Sequence, residues 1–310
     1  MTLALAVDLG GTKIESALVD EAGTLLPGSR SRRPTGADVT LDGLAAAVRA
    51  VVTDTLAALP TGARVIGAGI GSAGPIDTAA GRTAPLNMPG AGGFALRDAV
   101  AQAATDALGR TIDAELALDG LCITLAEHWI GAARDVASVL GMVVSTGIGG
   151  GIVSRGVPVR GGTGNAGHIG QLGVPGFADA DVRGLEATVE RIASGPNIVR
   201  WARERGWQGH DGEGLGRDYA AGDPLARAAV TRSAHAVGSA IASATALVDV
   251  DMVVIGGGFS HVSPDYLDLV REGRDRYAAF PFMGRAEIRP AALGGESPLV
   301  GAARLVLSAR

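Results

Sequence analysis

Asp8-Leu9-Gly10-Gly11-Thr12-Lys13 is the stretch that decides the fold. Apolar residues 3–7 lead into it and apolar residues 14–19 leave it, so two strands meet across a glycine-rich bend. Residues without a Cβ let successive backbone N–H groups approach an anion, and Lys13 adds a compact positive charge. Lys13 is the only lysine in a chain with 27 basic residues, so a guanidinium serves everywhere else. Asp8, at the end of the entering strand, is placed to hold Mg²⁺ directly or through water while Gly10, Gly11, Thr12 and Lys13 meet phosphate oxygens. A strand follows Lys13, whereas a P-loop requires Gly-x-x-x-x-Gly-Lys-Ser/Thr and a helix.

The device recurs. Residues 137–145 are strand-like and run into Thr146-Gly147-Ile148-Gly149-Gly150-Gly151, with residues 152–154 read as the return strand. Thr146, Gly147 and Gly149 form a second candidate phosphate loop. Strand, glycine turn and strand, occurring twice, predict an α/β protein of duplicated βββαβαβα lobes facing a cleft. The expected division is 1–117 with a returning C-terminal helix in 293–310, against 118–292. Helical spacing marks residues 40–59 and 119–131, most of 185–248, and 297–308. Strand 251–255 runs into Gly256, Gly257 and Gly258.

With 310 residues, 47% hydrophobic and 19% charged, the chain reads as a soluble globular protein of two packed lobes. A net charge of -5 without a basic tract argues against nucleic acid as a partner. Cys122 alone excludes an internal disulfide or a multi-cysteine metal cluster and fits a reducing cytoplasm. Residues 136–154 are long enough to cross a bilayer, but their five glycines favour a hairpin, so no membrane partner is expected. Gly69-Ile70-Gly71-Ser72-Ala73-Gly74 matches a dinucleotide fingerprint, yet Pro75 follows instead of a helix, and that reading fails.

Six motifs in order resemble the ROK family (repressors, open reading frames and sugar kinases) of the actin/hexokinase/Hsp70 superfamily. They are Asp8–Lys13, residues 71–77, 85–90 and 145–151, Gly164-Asn165-Ala166-Gly167-His168-Ile169-Gly170, and Ala193-Ser194-Gly195-Pro196. The resemblance implies a two-lobed, actin-like (ribonuclease H-like) ATPase fold and an ATP-dependent sugar kinase. Asp119 matches the aspartate that takes the proton of the attacking sugar hydroxyl, a role for which a carboxylate suits a poorly nucleophilic alcohol. Gly74, Asn87, His168, Gln171 and Glu190 fall on substrate-side positions, and Gly256, Gly257 and Gly258 on the adenosine side. Asp119 also suits a helix N-cap, Asn87 a structural turn and His168 a packed core position.

Departures from the family pattern matter. Leu118-Asp119-Gly120-Leu121 stands where Asn-Asp-Ala-Asn is usual, so an amide for sugar hydroxyls is replaced by an isobutyl group. His168-Ile169-Gly170-Gln171 replaces Glu-x-Gly-His, and residues 181–188 replace the cysteine zinc stretch, so Mg·ATP is expected and zinc is not. A glucokinase-like 6-kinase is the default expectation; an N-acetylmannosamine kinase, or a kinase of a less hydroxylated sugar or cyclitol, is the alternative. A regulator would carry a DNA-reading segment before a loop that here starts at residue 8, and a non-catalytic sugar sensor is opposed by Asp8, Lys13 and Asp119. A homodimer follows from the resemblance alone.

Overall fold

The computed structural model describes residues 1–174, 176–177 and 187–307. In chain order its elements begin with β1 (Thr2–Leu9), β2 (Lys13–Asp20), β3 (Ser31–Pro34), α1 (Leu41–Ala57) and β4 (Arg64–Ser72). The short β5 (Ile76–Asp77) and β6 (Arg82–Thr83), then α2 (Leu96–Leu108), β7 (Ala114–Leu118) and α3 (Asp119–Trp129), follow. Next come β8 (Val139–Val144), β9 (Ile148–Ser154), β10 (Val157–Pro158), α4 (Val189–Ala193), α5 (Gly195–Glu204), α6 (Gly212–Ala221) and α7 (Pro224–Val248). The chain closes with β11 (Met252–Gly256), α8 (Tyr266–Tyr277), α9 (Pro281–Gly284), β12 (Glu287–Pro290) and α10 (Ser297–Leu307).

These elements form two compact units: residues 1–135, 158–167 and 295–310, and residues 136–157 and 168–294. The first is built on a sheet of order β3-β2-β1-β4-β7, in which β1 is antiparallel to β2 and parallel to β4. Leu3, Leu5, Val7 and Leu9 of β1 are all fully buried, each contributing about 1.5–3 kcal/mol. A strand buried on both faces reads as a continuous apolar run, as residues 3–7 do. Thr40 caps α1 by accepting the Gly43 N–H at 3.1 Å.

The second unit repeats the plan with a sheet of order β10-β9-β8-β11-β12. Helix α7 packs closely on α8, since a Cβ at Gly238 would lie 2.3 Å from the Val270 carbonyl and one at Gly273 2.5 Å from the His235 Cα. Asp223 caps α7 and Pro224 fills its first turn. Matching strand orders bear out the duplicated, two-lobed α/β fold. Among the described residues no helix is long and apolar enough to cross a membrane.

Two expectations change. The second copy begins at β8, not near residue 119: α3 is the last helix before it and belongs to the first unit. The reason is a helix contact, since a Cβ at Gly301 of α10 would lie 1.6 Å from the Cys122 carbonyl of α3. Glycines 149–151 are also not a loop: they pair within β9 against 141–143, so the turn is confined to 145–147. A ladder is made by backbone groups, and glycine can satisfy it.

Candidate active site

In the first unit, register places five positions in one row. Arg32 of β3 lies opposite Glu15 of β2, Glu15 opposite Asp8 of β1, Asp8 opposite Gly71 of β4, and Gly71 opposite Ala117 of β7. Paired residues share a sheet face. Gly71 leaves room in the middle: a Cβ there would sit 3.4 Å from an Asp8 carboxylate oxygen and 3.2 Å from the Cys122 sulfur. Two residues past Ala117 the strand becomes α3 without a loop, and Asp119 is its first residue. Leu118 occupies the N-cap, and the Asp119 carboxylate accepts the Gly120 N–H at 2.7 Å.

Asp8 is buried, and burial, reinforced by the negative charges of Asp119 and Glu15, pushes its carboxyl up to about 8 against the pull of Lys13 and Arg30. Burial lifts Asp119 to about 6, opposed by the Gly120 N–H. Burial raises the neighbouring Cys122 thiol well above its usual value, so it is packing and not a nucleophile. Two carboxyls whose proton affinities are raised together suit a hard cation, which would restore their ionised forms. Asp8 would hold Mg²⁺, which supplies neutralisation of phosphate charge.

The bend beside them is open to an anion. Gly10 N–H is used within the bend on the Lys13 carbonyl at 2.9 Å, whereas the N–H groups of Gly11 and Thr12 make no backbone hydrogen bond among the described residues. Thr35 pins the bend, its N–H on the Thr12 carbonyl and its hydroxyl on that of Gly10. Asn87 lies against it: a Cβ at Gly11 would be 1.7 Å from the Asn87 amide nitrogen. Gly74 precedes a cis peptide to Pro75. Thus Asp8, Gly10, Gly11, Thr12, Lys13, Asn87 and Asp119 all belong to one unit.

The second unit gathers its own set. Glu190, in the first turn of α4, accepts the Ile148 N–H at 2.8 Å, and its carboxylate oxygen lies 2.8 Å from where a Gly147 Cβ would be. Gln171 donates to the other Glu190 oxygen at 3.4 Å. His168, whose Nε2 is buried without a partner among the described residues, has its proton affinity lowered by burial and partly restored by Glu190. Gly257, at φ 96°, presses on the end of β8, where a Cβ would meet the Val144 carbonyl at 2.5 Å. Gly256 ends β11 and Gly258 starts the next turn, so Thr146, Gly147 and the Gly256–Gly258 run share one sheet edge. Gly149 is a strand residue opposite Val143 and not part of the turn. Residues 181–186, aligned with the zinc stretch, lie outside the described residues.

One group escaped the sequence reading. Glu15 receives Lys13, Arg30 and Arg32 together. Its signal was the two-residue spacing from Lys13, which puts both side chains on one face of β2.

A duplicated α/β fold with an open anion bend beside a carboxylate at a strand-to-helix junction defines an actin-like phosphotransferase. The chain belongs to the ROK family, whose model matches residues 4–309. It is 31% identical over 308 residues to the N-acetylmannosamine kinase of Haemophilus influenzae strain PittEE, covering 96% of this chain and 93% of that protein. The match to the bifunctional enzyme NanE/NanK of Brucella melitensis is 35% over 199 residues, 64% of this chain, and spans only 36% of that longer protein. Among solved structures, the ROK hexokinase of Thermus thermophilus superposes with a TM-score of 0.77 at 34% identity, covering 97% and 96% of the two chains. A ROK glucokinase of Streptomyces griseus, solved with glucose and AMPPNP, gives 0.79 at 28%, with 99% of each chain covered. By this membership the matched region is a phosphotransferase of the sugar-kinase class.

Proposed function

We propose that the chain transfers the γ-phosphoryl group of Mg·ATP to a hexose hydroxyl, the 6-OH of a glucose-like sugar. The observation that carries the reading is the half-buried Asp119 carboxylate, two residues past the row of Asp8 and close enough to raise its proton affinity, beside an anion bend whose Gly11 and Thr12 N–H groups make no backbone hydrogen bond among the described residues. Asp119 accepts the hydroxyl proton and holds the oxygen in line. Gly11, Thr12 and Lys13 take the terminal phosphates, as do Thr146 and Gly147, while Gly256–Gly258 leave space for the purine. Asn87, His168, Gln171 and Glu190 orient the acceptor. Attack forms the bond from sugar oxygen to phosphorus and breaks the bond to the β-phosphate oxygen, releasing ADP.

A second reading, N-acetylmannosamine as acceptor, is favoured by the buried His168 Nε2, without a partner among the described residues, which can serve an acetamido group where a carboxylate could only accept. A coupled ADP-release assay on glucose, mannose and N-acetylmannosamine separates the two. Turnover with at least one sugar is expected, falling about 10²–10⁴-fold in D119N with its fold intact. Sugar binding without ADP release from any acceptor would make the chain a sensor instead.

A further inference from the structure

The role of Lys13 as a phosphate contact depends on where its ammonium is kept. A free lysine side chain has rotamer entropy to lose on binding. Here it is not free: Lys13 Nζ donates to Oε1 of Glu15, whose side chain is 1% exposed against 35% for Lys13. The buried carboxylate is the fixed point, and the ammonium reaches it from a more open side.

The other oxygen is reserved for arginine. Arg30 donates to Glu15 Oε2 through Nε at 3.0 Å and Nη2 at 2.8 Å, and Arg32, opposite on β3, through Nε at 3.3 Å and Nη2 at 3.1 Å. A bare Lys13–Glu15 pair would be neutral and present little field to a phosphate. Three cations on one carboxylate leave positive charge in excess beside the anion bend. Burial alone would raise the Glu15 carboxyl, but the bonds from Lys13 and Arg30 hold it below its usual range, so it stays ionised.

We infer that Glu15 is a positioning residue for Lys13, fixing its ammonium beside the Gly10–Thr12 bend, and that Arg30 and Arg32 return the positive charge which that ion pair would cancel. The inference rests on the kinase reading of the bend. Mg·ADP titrated calorimetrically into the full chain tests it. E15Q is expected to weaken Mg·ADP about ten-fold. K13M does the same, and E15Q/K13M is no weaker than K13M alone. Sugar affinity measured without nucleotide stays unchanged, which a general loss of structure would not allow.

Because Lys13 is the only lysine, ¹⁵N-lysine labelling gives one side-chain signal. That signal should be visible in the wild type, move on adding Mg·ADP, and be lost to solvent exchange in E15Q. R30Q/R32Q, which keeps Glu15 and Lys13, should preserve the signal yet weaken Mg·ADP, and supplies the decision if E15Q does not fold. Wild-type Mg·ADP affinity in E15Q, additive losses in the double variant, or unchanged affinity in R30Q/R32Q overturns the inference alone. A wild type that binds no Mg·ADP overturns the kinase reading with it.

Discussion

Asp119 and Asp8 are electrostatically coupled: the charge of Asp119 adds to burial in pushing Asp8 up to about 8, while burial lifts Asp119 itself to about 6. A base must be ionised to accept a proton, and a metal ligand to hold a cation. On the roles proposed for them, the pair would set the acid limb of catalysis, its two steps belonging to the pair as a unit.

With both substrates well below saturation, log kcat/KM should rise with a slope near two below about pH 6, near one between about 6 and 8, and level off above. A single limb centred near the ordinary aspartate value would show that neither carboxyl is raised in the working enzyme.

Stability should run the other way. The folded chain binds more protons than the unfolded one between the ordinary Asp value of 3.8 and about 8 at Asp8, so metal-free stability falls as pH rises through that window. D8N removes the titrating group and should exceed the wild type by at least about 1 kcal/mol at pH 8 in a chelator, while losing activity. Calorimetric melting at pH 5 and 8 checks this: the difference shrinks at pH 5, and excess Mg²⁺ raises the wild type alone.

Gly11 carries no positive φ, so alanine fits the backbone there, but its methyl would claim the place of the Asn87 amide. G11A should fold normally, because the displaced group is the end of an exposed side chain. Its sugar KM should rise about ten-fold, like that of N87A, with no further rise in the double variant. Additive effects in initial-rate kinetics would separate Asn87 from the bend.

At Gly301 the obstacle is backbone. G301A should cost about 3 kcal/mol, seen as a lower urea midpoint, because α3 and α10 must move apart. The sugar KM of the remaining folded enzyme should stay near the wild-type value, and a normal midpoint would mean that the helices separate without loss.

The glycine bend was legible because it depends on local sequence, glycines between two apolar strands, whereas Asp119 was nominated through the family resemblance, its local sequence marking only the start of a helix. Glu15 was not legible, since its bonds to Arg30 and Arg32 depend on the β2–β3 register, which spacing within one strand does not reveal. Asn87 could be nominated from its turn, but its contact with Gly11 joins positions distant in sequence. Gly149 was misplaced because consecutive glycines suggest a loop, whereas pairing with Val143 puts it in a strand. Which sheet α3 would cover was likewise hidden, for an apolar helix face does not name its partner and Gly301 does.

Gly69 of β4 completes the picture, since a Cβ there would strike the Ala302 carbonyl of α10 at 1.8 Å. That strand is thus sealed by a helix that comes after the whole second unit in the chain. Residues 136–157 and 168–294 emerge in between and can condense on their own core while the earlier half waits with an uncovered flank. That flank is closed only once α10 packs against β4 and α3.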